Sequence, residues 1–467
     1  MADGFQGFKG KCAYLCSMST QDPLSNVLKN LGITALHPMQ ERARQAILED
    51  KSVLLLAPTG SGKTLAFLLP VLQLLQSDKT KVQCLILSPT RELAIQIESV
   101  WKKMGTGFKV NACYGGHSMS TEIQNLSEAP ALLVGTPGRI ADHLTRKTFD
   151  LDGIHILILD EFDKSLEMGF QDQMAFIMEG LTHLKKTVLV SATKRGEVPE
   201  FTKVVKPTEV NFIADEETQL DLTVKLVYAE DPDKISTLFN LLCSLKGEPA
   251  LIFFNQREPA EEASASLNAM GLFSTFYHGG MEQDDRERAL IHFRNGSIPF
   301  LLTTDLAARG LDIPEMKHVI HVQLPQKNSE FIHRNGRTAR AKASGTSYVL
   351  LNDQETKPSY LKEVNDVLKL AKKYALPPSP EFLTLYISGG RKNKINKIDI
   401  VGFLSQKGKL EKEDIGLLEV KDFFSFAAVK KEKVKEMLKQ IKDEKMKGKK
   451  YKIEVANMKQ AEVKRNY

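Results

Sequence analysis

Cysteine is scarce in this chain, with five among 467 residues (Cys12, Cys16, Cys84, Cys113 and Cys243). Scattered and odd in number, they argue against a disulfide framework and fit a reduced, cytosolic protein. Cys12 and Cys16 stand four apart, but no second ligand pair follows, so no metal site is expected there. Long hydrophobic runs are also missing. No stretch approaches the ~18–20 apolar residues that span a bilayer, so no membrane helix is expected. The start, Met1-Ala2-Asp3-Gly4-Phe5-Gln6, lacks a basic segment followed by an apolar core, so no secretory leader is expected either. No short internal repeat is visible, although two α/β halves of the chain could share an architecture.

Acidic charge runs short in one region only. The whole chain carries 64 Lys+Arg against 58 Asp+Glu, but from Phe382 onward the count is 22 against 12. The last fifth therefore holds a surplus of ten positive charges and the rest is slightly acidic. Such a local surplus suits a polyanion, although a solvated lysine-rich helix has the same composition.

What the chain does have is Ala57-Pro58-Thr59-Gly60-Ser61-Gly62-Lys63-Thr64, set between an apolar run at 52–56 and a helical pattern at 65–72. Strand, glycine-rich turn, then Gly-Lys-Thr opening a helix is the context of a phosphate-binding loop. Thr59, Gly60, Ser61 and Gly62 would curl their N–H groups around a polyphosphate at the positive end of the helix. Lys63 would reach the terminal phosphates and the Thr64 hydroxyl would ligate Mg²⁺. The first position is Ala57 where glycine is usual.

Around the loop, near-continuous apolar runs at 82–87, 109–114, 131–134, 154–159 and 187–190 alternate with helical patterns. This reads as a doubly wound parallel sheet covered on both faces. The pattern lapses into a polar connector through 206–219. A second series at 222–228, 250–254, 273–277, 300–304, 318–322 and 347–351 gives a second α/β domain with no phosphate loop of its own. Residues 358–374 read as a helix and Leu376-Pro377-Pro378-Ser379-Pro380 as a stiff linker. The expected division is a tail at 1–22, domains at 23–210 and 211–355, a helix and linker at 356–381, a small domain at 382–457 and a basic tail at 458–467.

The run 154–159 ends in Asp160-Glu161-Phe162-Asp163. Carboxylates at the C-terminal end of a strand sit where ligands collect in an open parallel sheet. Asp160 suits a Mg²⁺ partner and Glu161 a group that positions water. Two adjacent acids are also common on solvated loops, so the upstream phosphate loop is what gives the pair weight.

With Ser191-Ala192-Thr193 added, these segments are similar to motifs I, II and III of DEAD-box RNA helicases. Further segments stand in that family's order: Pro89-Thr90-Arg91-Glu92-Leu93-Ala94, Gly115-Gly116, Thr136-Pro137-Gly138-Arg139, Gln283 with Arg286, Thr304-Asp305, residues 308–312 and 333–340. The resemblance covers about 24–352. It implies two tandem RecA-like doubly wound parallel-sheet domains with ATP and Mg²⁺ as cofactors and RNA as partner. It implies that Arg337 and Arg340 act with Lys63, Asp160 and Glu161 in catalysis, and that Asp312 touches the ribose. It implies that Gln40 reads the adenine edge, and that Asp163, Ser191, Thr193 and His333 couple nucleotide to RNA. Arg91, Gly116, Thr136, Arg139, Arg286 and Thr304 would contact RNA, mainly its sugar–phosphate backbone. There are three departures. Phe162 stands where the family has alanine, and Ala339 where it has glycine. The aromatic that stacks on adenine has no clear counterpart, Tyr14 being nearest by position.

From Phe382 the pattern runs strand, helix, strand, strand, helix, strand, the order of an α+β RRM-like domain. Phe424 and Phe426 share one face of its third strand, where they could stack on bases or simply join the core. Gly389-Gly390-Arg391-Lys392-Asn393-Lys394-Ile395 and the lysine-rich 445–450 resemble the C-terminal RNA-binding domain of DbpA-type bacterial helicases. That implies RNA contacts at Arg391, Lys392 and Lys394, and docking on a structured hairpin of large-subunit ribosomal RNA. The expectation is a monomeric cytoplasmic enzyme that parts short RNA duplexes at the expense of ATP, without a membrane. The competing readings are an ATP-gated RNA clamp and a DNA helicase.

Overall fold

The computed structural model describes residues 23–456 except 59, 79, 194–197, 214–221, 306–312, 314–315, 337, 339–344, 363 and 365. Seven strands form the first sheet: β1 (Ser52–Leu56), β2 (Cys84–Leu87), β3 (Val110–Cys113), β4 (Leu132–Gly135), β5 (Ile156–Leu159), β6 (Lys186–Ser191) and β7 (Thr208–Asn211). All pairings are parallel, in the order β3-β4-β2-β5-β6-β1-β7. Side chains alternate across a strand, so the apolar runs feed two cores. Val53, Leu55, Ile86, Ile158 and Val190 face one helical layer with Phe67 and Trp101. Leu85, Leu133, Leu157 and Leu189 face the other with Phe162, Met174 and Ile177.

The second sheet holds β8 (Leu222–Ala229), β9 (Ala250–Phe254), β10 (Ser274–Tyr277), β11 (Phe300–Thr304), β12 (His318–His321) and β13 (Gly345–Asn352), all parallel in the order β10-β11-β9-β12-β13-β8. Two sequence expectations need correction. The supposed connector near residue 208 contains β7, which extends the first sheet beyond β1. Of its four residues only Val210 is buried, so it carries no apolar run to read. The described residues of 358–374 do not form the expected helix. Beyond a short 3₁₀ turn at Ser359–Leu361, the chain runs along the open edge of β8, where Leu226 N–H donates to Asp366 O and Leu368 N–H to Leu226 O, both at 2.8 Å. An edge strand's unpaired backbone groups outcompete a helix that has little core to bury against.

The third sheet is antiparallel: β14 (Phe382–Ile387), β15 (Ile415–Val420), β16 (Ser425–Lys430) and β17 (Ile453–Val455), in the order β15-β16-β14-β17. Helices Lys397–Gln406 and Lys431–Gln440 cover one face, packing Ile400, Leu404, Val434 and Met437 on Leu385, Ile387, Ala427 and Val429. The opposite face meets the second α/β unit. There Thr384 Oγ1 accepts from Asn295 Nδ2 (3.3 Å) and lies 2.8 Å from Ser297 Oγ, and Arg294 pairs with Glu419 at 3.0 Å. Among the described residues no helix is long and apolar enough to cross a membrane, and Cys84, Cys113 and Cys243 are buried free thiols. Cys12, Cys16 and Tyr14 lie outside the described residues.

Candidate active site and RNA interface

The order β5-β6-β1 places three chain segments side by side at the C-terminal edge of the first sheet, where its parallel strands end. Residues 57–62 leave β1, Asp160 and Glu161 leave β5, and Ser191 ends β6. Ala57 N–H donates to Ser191 O (3.1 Å), which ties the β1 exit to the end of β6, and Asp160 N–H donates to Leu87 O (2.8 Å), which ties the β5 exit to the end of β2. Gly62 adopts φ 87° at the N-terminus of helix Lys63–Leu74. Its left-handed conformation is what calls for glycine, and a Cβ there would also lie 2.5 Å from Gln40 Nε2 and displace that amide. Gln40 is held at both ends: Oε1 accepts from His37 N–H (2.9 Å) and Nε2 donates to Gly62 O (3.3 Å). The Lys63 ammonium donates to Ala57 O (2.7 Å) and Pro58 O (2.8 Å), and so curls back over its own loop. Gly60, Ser61 and Thr64 line the same turn, Ser61 Oγ donating to Pro58 O at 2.9 Å.

Asp160 is only 3% exposed. Burial, then the charge of Glu161, pushes its pKa up to about 7, against the opposing pull of Lys63. Glu161 adopts φ 46°, an uncommon left-handed conformation for a non-glycine residue, as the chain turns into helix Phe162–Glu167. Crowded, buried acids with one lysine nearby form a donor set that fits a hard divalent cation. Phe162 faces away from solvent. Its ring is buried in the apolar layer with Leu159 and Met174. Three of the four residues expected to couple nucleotide to RNA come together: Thr193 Oγ1 donates to Asp163 Oδ2 (2.7 Å), Ser191 Oγ to Thr193 O (2.8 Å) and Thr193 N–H to Ser191 Oγ (3.0 Å).

A cavity of about 450 Å³ separates the two α/β units, lined by Arg91, Thr136 and Arg139 of the first and Gly279 and Arg286 of the second, among others. Arg91 lies across Gly116, whose φ is 87° and whose missing Cβ leaves the room that Arg91 Nη1 needs. Arg139 is aimed by Glu122, a residue that sequence reasoning missed. The Glu122 carboxylate is 1% exposed and accepts from Arg139 Nε (2.7 Å) and Tyr114 N–H (3.1 Å), with His143 Nε2 at 2.8 Å. Burial would raise its pKa, yet bonds to His143, Arg139 and the Tyr114 amide hold it below the ordinary carboxylate value. Arg286 spans the gap, with Nη2 2.5 Å from Glu92 Oε1 and 3.1 Å from Tyr277 Oη.

Thr304 ends β11, and His333 sits half-buried in helix Asn328–Asn335. Next to it stands Arg334, 1% exposed and absent from the expected set. It donates to both oxygens of Asp305 (2.7 and 2.6 Å), to Gln323 O and to Asn255 Oδ1. Thr59, Asp312, Arg337, Ala339 and Arg340 lie outside the described residues. In the third unit Arg391, Lys392 and Lys394 are all exposed on the turn after β14. Phe426 is 1% exposed and Phe424 half-buried, so the sheet-face aromatics serve packing.

A lysine-bearing loop beside buried acids on one parallel sheet, facing a second sheet without such a loop, is the arrangement of two-domain ATP-driven helicases. Family models agree: residues 37–201 match the DEAD/DEAH box helicase domain, 233–342 the helicase conserved C-terminal domain and 384–455 the DbpA RNA binding domain. The ATP-dependent RNA helicase DbpA of Bacillus subtilis (strain 168) is 31% identical over 462 residues, 92% of this chain and 96% of the relative. DbpA of Escherichia coli (strain K12) is 32% identical over 434 residues, 90% and 94%. Among solved structures, S. cerevisiae Dbp5 bound to RNA and ADP BeF3 superposes with TM-score 0.64 at 26% identity, covering 72% of this chain and 88% of that one. Mss116p bound to ssRNA and AMP-PNP gives TM-score 0.65 at 26% identity, covering 72% and 73%. The chain belongs to the DEAD-box ATP-dependent RNA helicases, and within them it is DbpA-like. It is an RNA-dependent ATPase.

Proposed function

We propose that the chain hydrolyses ATP at the β5-β6-β1 edge and uses the cycle to part short RNA duplexes during large-subunit ribosomal RNA assembly. The gathering of Lys63, Asp160, Glu161 and the Asp163–Thr193–Ser191 chain at adjacent strand ends carries this reading. Gln40, bonded to Gly62, would fix the base relative to the loop. Gly60, Ser61, Gly62 and Lys63 would hold the phosphates, with Thr59 and Asp312 completing the nucleotide contacts. Thr64 and Asp160 would hold Mg²⁺, which when bound supplies charge neutralisation at the phosphates. Lys63 would exchange its two carbonyl partners for phosphate oxygens, and Glu161 would orient the attacking water. Arg337 and Arg340 would add positive charge from the second α/β unit. Thr193 would relay occupancy through Asp163 and Ser191, with His333 on the facing unit.

Arg91, Gly116, Thr136, Arg139, Arg286 and Thr304 would track the RNA backbone. Arg391, Lys392 and Lys394 would select a structured ribosomal hairpin. Working boundaries are 23–210, 211–355 and 382–457, in a monomer acting in the cytoplasm. The test is phosphate release with and without RNA. Lys63→Ala and Glu161→Gln are expected to lose RNA-stimulated turnover by roughly 100-fold or more, the scale of removing a transition-state contact. Wild-type rates in both would refute the site.

A further inference from the structure

The third unit meets RNA, on the reading above, through basic turns, but a basic turn alone does not distinguish paired from unpaired nucleotides. Stacking does, and it needs an exposed aromatic ring. The sheet face offers none that is fully exposed, because Tyr386 and Phe424 are half-buried and packed on one another. Phe426 is buried, Thr384 is engaged by Asn295 and Ser297, and Glu419 is held by Arg294.

The turn between β15 and β16 does supply one. Phe423 is 69% exposed, while its neighbour Phe424 points inward against Tyr386 and Phe426, with ring centroids at 6.0 and 5.5 Å. Isolated exposed apolar residues are ordinary, so the scaffold beneath this one decides its meaning. The two turns are bolted together: Arg391 N–H donates to Lys421 O and Lys392 N–H to Asp422 O, both at 2.8 Å. A Cβ on Gly390 would stand 2.3 Å from Lys421 O, so only glycine permits this contact. A third basic segment is tied in where Lys447 Nζ donates to Lys394 O (2.8 Å). Phe423 is thus exposed on a pinned turn, one residue beyond the carbonyl that Lys392 binds, on a scaffold that joins it through Arg391 and Lys392 to the basic turn carrying Lys394 and to Lys447. Of the nearby acids, Asp399 takes up Lys447 at 2.9 Å, whereas Asp422 is 3.9 Å from Arg391 and itself exposed.

We propose that Phe423 stacks on an unpaired RNA base while Arg391 and Lys392 hold the adjoining phosphates, making this turn a sensor of single-stranded nucleotides. The proposal rests on the reading that the basic turns bind RNA. It is tested on the full chain without nucleotide, using a twelve-residue oligoadenylate and a blunt twelve-base-pair RNA duplex. Phe423→Ala should weaken oligoadenylate binding about 5- to 100-fold, the range of stacking losses, and change duplex binding less than about twofold. Phe423→Trp should keep the affinity and report the contact by quenching, because the chain's one tryptophan, Trp101, is buried. Undiminished oligoadenylate binding by Phe423→Ala, equal losses on both RNAs, or unchanged Trp emission would each overturn it. The double variant Arg391→Glu/Lys392→Glu separates the two readings. If it weakens binding of both RNAs while Phe423→Ala weakens neither, the basic turns bind RNA and stacking is wrong. If the double variant weakens neither RNA, the RNA reading itself falls, and the stacking proposal with it.

Discussion

Glu122 shows how much one buried side chain can organise. It accepts from Arg139 and the Tyr114 amide and lies 2.8 Å from His143 Nε2, so the guanidinium that lines the inter-unit cavity is aimed from below. Cys113 lies close enough to Glu122 and His143 for the three to resemble a metal-ligand cluster, but the carboxylate is already taken up by these partners. In Glu122→Ala, Arg139 and His143 lose their acceptor. Breaking such a buried pair costs about 3–5 kcal/mol, so a clear fall in melting temperature is expected. The RNA concentration for half-maximal ATPase should rise several-fold while turnover without RNA changes little. Unchanged RNA dependence would show that Arg139 does not need the carboxylate. Glu122 was not legible in the sequence, and Arg334, though inside the segment 333–340, carried no sign of its buried role. Asp and Glu, Lys and Arg are usually exposed, and only the fold reveals which of them are buried with partners. The placement of the lysine-bearing turn after β1 and of the acid pair after β5 was legible, because each follows directly on an apolar strand in the sequence.

Elements covered on both faces were the easiest to read. β2, β5 and β9 are apolar throughout, as a parallel strand between two helical layers must be. β7 and the segment along β8 were not legible, because edge pairing is made with backbone groups and leaves little trace in side-chain pattern. Packing between elements also sets a pH response that no local pattern announces. His321, on β12, lies against the Phe253 and Phe331 rings and bonds Asn335 and Ser347. Burial, then the Arg334 charge, depresses its pKa to about 3. The unfolded chain takes up this proton as pH falls below about 6.5, whereas the folded chain does not until near 3, so the unfolded state binds more protons across that window. Stability from this group is therefore lost on acidification, by up to roughly 1.4 kcal/mol per pH unit. Melting temperatures at pH 7, 6 and 5 should fall accordingly, and His321→Phe should flatten the slope even where it lowers the overall value. A wild-type slope in that variant would assign the acid sensitivity elsewhere.

At the scale of the molecule, the notable contact is the pair that bridges the two α/β units. Glu92 opens the helix Arg91–Met104, directly beside the cavity-lining Arg91, and Arg286 belongs to helix Gln283–Arg294 of the second unit. Their side chains are 10% and 6% exposed, and the pair lies on the boundary of two cavities: the 450 Å³ one and another of about 710 Å³ reaching the third unit at Arg391 and Lys421. Helix Gln283–Arg294 also carries the Arg294–Glu419 link, so one helix touches all three units. Arg286 then has two separable tasks: to contact RNA directly, or to hold the units together while RNA is bound. A double-mutant cycle distinguishes them. If the pair holds the closed arrangement, Glu92→Ala and Arg286→Ala should each reduce RNA-stimulated ATPase roughly 10- to 100-fold, from the 3–5 kcal/mol scale of breaking a buried pair, partly screened at an interface. The double variant should be no worse than either single one, and turnover without RNA should be unaffected. If Arg286 acts on RNA alone, Glu92→Ala should behave as wild type and the two losses should simply add. Activity that survives in Arg286→Ala would remove both roles and leave closure to the remaining contacts between the units.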